Sequence, residues 1–213
     1  MTPRTVVVAV LDVNETLSDL EPLRDRFERV GAPPQLLETW FASTLRDGIA
    51  LTASGAYAGF LDVGRAVLRT LLPAQQLRVP LEDAADQIVA GFAELPVHSD
   101  VPEALRRLRE AGVRVATLTN GSAASAAALL GRAGLSDLVE LNLDVEAVGR
   151  WKPHPQPYLY ACRTLDVSPG DAVLIAAHPW DVHGAKHGGN SSSVLGSRRA
   201  EGRFRIAAAR ALR

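Results

Sequence analysis

Apolar and polar positions along the 213-residue chain follow two different rhythms. Near the start, Thr5-Val6-Val7-Val8-Ala9-Val10-Leu11 is a consecutive β-branched and apolar run. That is the pattern of a parallel strand buried on both faces. From Leu20 to about Leu95 the spacing becomes helical, in LEPLRDRFERV, PPQLLETWFASTLRDGIAL, AYAGFLDVGRAVLRTLL and LEDAADQIVAGFAEL. Breaks at Gly31-Ala32-Pro33-Pro34, at Ser54-Gly55 and from Pro73 to Pro80 separate these stretches. Pro34 and Leu81-Glu82-Asp83 suit first helical turns.

After Pro96 helices and strands alternate. DVPEALRRLREAG reads as a helix closed by Gly112, VRVATLT as a strand, and SAASAAALLGRAG as a helix closed by Gly134. LVELNL, PQPYLYACRTLDV, DAVLIAA and WDVHGAKHGG continue as strand, helix, strand and short helix. This alternation predicts an α/β fold with a parallel sheet. The helical block after the first strand then reads as an inserted cap.

Composition narrows the function classes. The chain is 47% hydrophobic and 22% charged, as in an ordinary globular protein. Its formal net charge of −1 gives no reason to expect nucleic acid or an anionic membrane as partner. The single cysteine, Cys162, excludes an internal disulfide and fits a reducing, cytoplasmic setting, the expected localisation. No signal-peptide pattern is visible before Asp12, and no stretch approaches the ~20 apolar residues of a membrane helix.

An acid closing an apolar strand is costly unless it is bonded, paired or used. Asp12 is such an acid. In open α/β sheets the site lies at the carboxyl ends of the strands. Thr119-Asn120-Gly121 ends the second strand, a loop carries Lys152-Pro153, and Ala176-Ala177-His178-Pro179-Trp180-Asp181 follows a later strand. Singly, each has an ordinary explanation: a turn cap, a helix N-cap at Asn120 or Ser122, a surface lysine, an acid at a helix N-terminus. In this order they converge on one point.

DVNETL, LTNGS, KPHPQPY and AAHPWDVHGAK, in that order from about Thr5 to Gly188, resemble the four motifs of the haloacid dehalogenase superfamily, specifically its type II (S)-2-haloacid dehalogenase branch. The resemblance implies a Rossmann-like core of residues 1–17 and 98–213 with an all-helical cap of residues 18–97. It implies Asp12 as a nucleophile that forms an aspartyl ester, with Lys152 and Asp181 beside it. Lys152 would keep Asp12 ionised. Thr16, Thr119, Asn120 and Tyr158 are the expected substrate contacts, with backbone N–H groups of Val13, Asn14 and Asn120 as an anion nest. The expected reaction is hydrolysis of an (S)-2-haloalkanoate to the (R)-2-hydroxy acid, without metal or cofactor. The expected partner is a short 2-haloacid, and a homodimer is compatible.

Phosphatases of the superfamily carry an acid two residues after the nucleophile, where Asn14 stands. They also carry metal-binding acids in the fourth motif, where Ala176, Ala177 and His178 stand. A small-molecule phosphatase is therefore the runner-up, and an impaired relative that binds a small carboxylate is a third reading. Many type II enzymes place an arginine early in the cap. Phe41 occupies the matching position here, and Arg46, one turn on, reads equally as a substitute or as a solvated residue. Trp40, Phe41, Leu45, Tyr57 and Phe60 are either a pocket wall or helix-to-helix core. Glu15 and His178 replace residues that are often Gly and Asn in relatives. They are expected to meet, Glu15 holding a histidine of ordinary pKa near ~6.5 that deprotonates water, with Asp181 as the alternative base. From Gly189 onward the chain has six arginines against one glutamate and little strand-like period. It reads as a mobile tail, a short helix from Phe204, a sequence altered by a reading-frame change or, less readily, a basic patch for a polyanion.

Overall fold

The computed structural model describes residues 6–188, 192–197 and 205–206. The elements in chain order are β1 (Val8–Leu11), α1 (Leu23–Val30), α2 (Leu36–Ala53), α3 (Phe60–Leu71), α4 (Leu81–Ala90), α5 (Val101–Glu110) and β2 (Arg114–Thr119). They continue with α6 (Ala123–Arg132), β3 (Leu141–Asp144), α7 (Pro155–Thr164), β4 (Ala172–Ala176), α8 (Pro179–His187), β5 (Ser192–Ser197) and β6 (Arg205–Ile206).

The sheet runs β3-β2-β1-β4-β5-β6, with the first five strands parallel and β6 antiparallel to β5. β1 is central, and both of its faces are covered. Ala9 and Leu11 pack with Leu105 and Leu108 of α5 and Leu129 and Leu130 of α6. Val8 and Val10 pack on the other side with Tyr158 and Ala161 of α7 and Val182 and Ala185 of α8. Two covered faces explain why β1 is apolar at every position rather than alternating. The chain order reverses at β1, with β2 on one side and β4 on the other, and the crevice beyond these strand ends is where ligands sit in such sheets.

The helices between β1 and α5 share their own cluster, built on Leu23, Phe27, Trp40, Phe60, Leu68 and Ile88. Each fully buried side chain of this size contributes about 1.5–3 kcal/mol against exposure. Buried Trp40 satisfies its one donor by giving Nε1–H to the Gly64 carbonyl at 2.8 Å. Val145 and Trp151 join this cluster from outside the helical block. Trp151 is held at several points: its ring stacks on Phe60 at 5.7 Å, Nε1–H donates to the Ala58 carbonyl, and its backbone N–H donates to Thr52 Oγ1. Since the next residue is Lys152, this docking ties the helical block to the sheet-end loops. Among the described residues no helix is long and apolar enough to cross a membrane.

The expectation for the end of the chain is corrected in part. Ser192–Ser197 is a strand paired in parallel with β4, and Arg205–Ile206 pairs antiparallel with that strand, so these two residues are strand where the sequence suggested helix. A Ser-rich stretch carries a weak strand pattern of its own. The backbone groups on the edge of β4 supply the pairing that the side chains do not advertise. The remainder of the segment lies outside the described residues.

Gly48 of α2 lies against the Trp151 ring, where an added Cβ would fall 2.4 Å from ring carbons. Gly48→Ala should therefore destabilise the fold by about 1–2 kcal/mol, overpacking outweighing the helix propensity gained. Urea denaturation checks this. A gain of about 1 kcal/mol, as at an exposed helix position, would contradict it.

Candidate active site

Asp12 immediately follows β1, where its backbone N–H continues the sheet by donating to the Ile175 carbonyl. Its side chain is almost wholly buried and meets three groups. Lys152 Nζ donates to Oδ1 at 2.9 Å, Thr16 Oγ1 donates to Oδ2 at 2.7 Å, and His178 Nδ1 lies 3.6 Å from Oδ2. Thr16 in turn accepts the Ala177 N–H at 3.0 Å, which ties the first motif to the fourth.

Lys152 is completely buried. Its ammonium spends its donors on Asp12, on Asp181 Oδ2 at 2.7 Å and on the Leu118 carbonyl at 2.8 Å. Burial alone would lower its pKa, but the two carboxylates outweigh burial and hold the ammonium protonated. Burial would likewise raise the Asp12 pKa. The charges of Lys152 and His178 and the Thr16 hydroxyl reverse that and keep Asp12 ionised far below the usual carboxylate range. Asp181 is pushed upward, by burial first and by the charge of Asp12, against the pull of Lys152.

Asn120 clamps the lysine from behind. Its Oδ1 accepts the Lys152 backbone N–H at 2.8 Å and its Nδ2 donates to the Lys152 carbonyl at 3.3 Å. Both ends of the side chain expected on substrate are thus committed to the lysine loop. Tyr158 departs from its expected role in the same way. It is buried on α7, and its hydroxyl reaches Asp181 Oδ1 at 2.6 Å and the Asp181 carbonyl at 3.1 Å, so it braces the acid. The N-cap of α6 is Ser122, whose side chain accepts the Ser125 N–H. Thr119 Oγ1 accepts the Gly121 N–H at 2.9 Å. Val13, Asn14, Thr119, Gly121 and Phe60 line a cavity of about 30 Å³, room for about two waters.

Glu15 and His178 meet. Glu15 Oε2 and His178 Nε2 are 2.7 Å apart. The imidazole ring stacks between Phe41 of α2, at 6.2 Å, and Trp180 of α8, at 5.1 Å. Its Nδ1, facing Asp12, is buried and makes no hydrogen bond. The expectation of an ordinary histidine is corrected here. Burial works against the charge, but the facing carboxylates of Asp12 and Glu15 raise the His178 pKa to about 9. Arg46 does not substitute for the cap arginine: its side chain is 69% exposed and pairs with Asp47 at 2.7 Å. Phe41 is buried, in contact with His178 and Phe60. Trp40 and Phe60 belong to the helical core, and Phe60 also lines the small cavity.

Sequence reasoning missed Trp151 as the anchor of the lysine loop. The available signal was Gly48, a glycine inside a helix, which marks a close approach. It also missed Gly184 of α8, where a Cβ would fall 2.6 Å from the Pro153 carbonyl and 2.7 Å from the Tyr158 hydroxyl.

A sequence profile of the haloacid dehalogenase-like hydrolases matches residues 7–189, and the chain belongs to that family. It is similar to an (S)-2-haloacid dehalogenase of Xanthobacter autotrophicus, 29% identical over 87% of this chain and 73% of that protein. The solved L-2-haloacid dehalogenase of Xanthobacter autotrophicus with chloropropionic acid covalently bound superposes with a TM-score of 0.80 at 27% identity, covering 92% of this chain and 80% of that one. A plasmid-borne phosphoglycolate phosphatase of Cupriavidus necator is 34% identical over a shorter part, 63% of this chain and 62% of that protein.

Glu15 adopts a left-handed backbone, φ 61°, which a residue with a Cβ tolerates poorly. The turn would be happier with glycine, so the carboxylate is kept at a conformational cost. Glu15→Gly and Glu15→Ala both remove the His178 partner. The glycine variant should be the more stable of the two by about 1 kcal/mol, read by urea denaturation. Equal stability would show that the turn carries no strain.

Proposed function

We propose that the protein hydrolyses short (S)-2-haloalkanoic acids to (R)-2-hydroxy acids through an ester on Asp12. The observation that carries this reading is the Lys152 ammonium set between the carboxylates of Asp12 and Asp181. In the phosphatase reading, an acid two residues after Asp12 and further acids in the fourth motif would hold a divalent cation beside these carboxylates. Here a fixed ammonium bridges the two acids, Asn14 supplies no acid two residues on, and Ala176 and Ala177 add no oxygen ligands. The donor set does not suit Mg²⁺, and the reading uses no metal and no cofactor.

The chemistry follows from the arrangement. A carboxylate kept ionised by Lys152 and aligned by Thr16 attacks the halogen-bearing carbon, and halide departs as the ester forms. The first and second motifs, with the backbone N–H groups of Val13, Asn14 and Asn120, receive the substrate carboxylate. Water then attacks the aspartyl carbon. Asp181 is poorly placed as its base, with one oxygen on Lys152 and the other on Tyr158. His178 presents a buried Nδ1 toward Asp12 with Glu15 holding its other nitrogen, the orienter–base arrangement of a hydrolytic triad applied to water.

The experiment is a substrate panel with free halide and free phosphate as readouts. Wild-type protein should release halide from (S)-2-chloropropionate with or without chelator, and Asp12→Asn should release none. His178→Ala should release about one halide per enzyme and stall, with the acyl-chain mass retained on Asp12. Wild-type turnover in His178→Ala would assign the water to another base. Phosphate release that depends on Mg²⁺ would replace this reading with the phosphatase.

A further inference from the structure

His178 holds a position whose charge balance changes during the proposed reaction. Two carboxylates face the ring from the first-motif turn: Glu15 at 2.7 Å from Nε2 and Asp12 at 3.6 Å from Nδ1. Lys152 and Asp181 stand behind Asp12. The uncharged rings of Phe41 from α2 and Trp180 from α8 stack against it. The side chain is 17% exposed and that of Glu15 44%, so protons can pass to water.

At rest the cluster holds three carboxylates, one ammonium and one imidazolium, one negative charge in excess. Esterification converts the Asp12 carboxylate to a neutral group. The imidazolium then loses the anion beside Nδ1, while burial continues to disfavour its charge. Nε2–H remains held by Glu15, so the proton that becomes dispensable is the one on Nδ1. Its departure leaves two carboxylates against one ammonium, again one negative charge in excess.

We propose, building on the ester reading above, that His178 is protonated while Asp12 is a carboxylate and sheds its Nδ1 proton to solvent when Asp12 is esterified, which makes it a base only for the hydrolytic half-reaction. The balance closes. In the first half, the C–halogen bond breaks, the Asp12 oxygen–carbon bond forms, halide leaves as an anion, and His178 gives one proton to water. In the second half, neutral Nδ1 takes a proton from water, hydroxide adds to the aspartyl carbon, and the ester C–O bond breaks. The departing alkoxide takes the remaining hydroxyl proton. Asp12 returns as carboxylate and His178 as imidazolium, with one proton and one halide released per turnover. A resting imidazolium is thus compatible with a catalytic base, because the charge that holds its proton is consumed by the step before it is needed.

The test is a ¹⁵N-histidine NMR titration of the full chain, with His178 assigned by its loss in His178→Asn. In the wild type, His178 should be doubly protonated at pH 7.5 and titrate near pH 9. In Asp12→Asn, which copies the neutral ester, the midpoint should fall by at least one pH unit, and the neutral ring should carry its proton on Nε2. Lys152 keeps Asp181 and the Leu118 carbonyl in this variant, so its charge is not orphaned. Asp12→Ala removes the same charge and serves if the Asn variant does not fold. Unchanged midpoints, or a wild-type ring already neutral at pH 7.5, would overturn the proposal. No turnover is involved, so absence of halide release by the wild type would sink the haloacid reading separately.

Discussion

The buried ammonium of Lys152 is the interaction on which the rest of the site depends. An ammonium taken out of water costs several kcal/mol unless it is paired and fully hydrogen-bonded. Here three acceptors from three segments meet it: Asp12 after β1, Leu118 within β2 and Asp181 in α8. None of the three is local in sequence, so the charge can be satisfied only when the sheet is assembled. The neighbouring structure maintains that meeting. Asn120 grips the lysine backbone, Trp151 roots the loop in the helical block, and Gly184 lets α8 approach Pro153 and Tyr158 closely. The same pairing keeps the free Asp12 side chain ionised.

A second cation, His178, stands on the other side of Asp12, stacked between the Phe41 ring of α2 and the Trp180 ring of α8. The two cations differ in kind. Lys152 is enclosed by groups that leave it no reason to titrate. His178 is partly exposed, and Asp12 and Glu15 account for its raised pKa. Phe41 carries no charge and Arg46 is turned to solvent, so α2 contributes a ring rather than a cation next to this pair. The strained turn at Glu15 fits the same picture, since backbone strain persists where a side chain has a task.

Much of this was legible in the sequence because strong local patterns and ordered motifs coincided. The apolar run of β1, the helical spacing of the block that follows and the alternation after Pro96 each reflect a burial pattern that one stretch reports about itself. Asp12, Lys152 and Asp181 were legible as acids and a lysine at strand ends. The roles of Asn120 and Tyr158 were not, because the sequence gives residue type but not the direction of a side chain. Both sit in the motifs but turn toward the lysine loop and Asp181. The pKa of His178 was missed because it depends on two carboxylates brought near by the fold. β5 was missed because its pairing is a property of the β4 edge rather than of its own Ser-rich stretch.

The central claim is that Asp12 is the nucleophile and that water attacks its carbonyl carbon. The most direct measurement is a single turnover of (S)-2-chloropropionate by excess enzyme in H₂¹⁸O, followed by mass analysis of the product and of the peptide containing Asp12. The account predicts a first product with no ¹⁸O and one labelled oxygen in Asp12. Label in the first product with none in the protein would mean that water displaces halide directly, and the ester route would be contradicted.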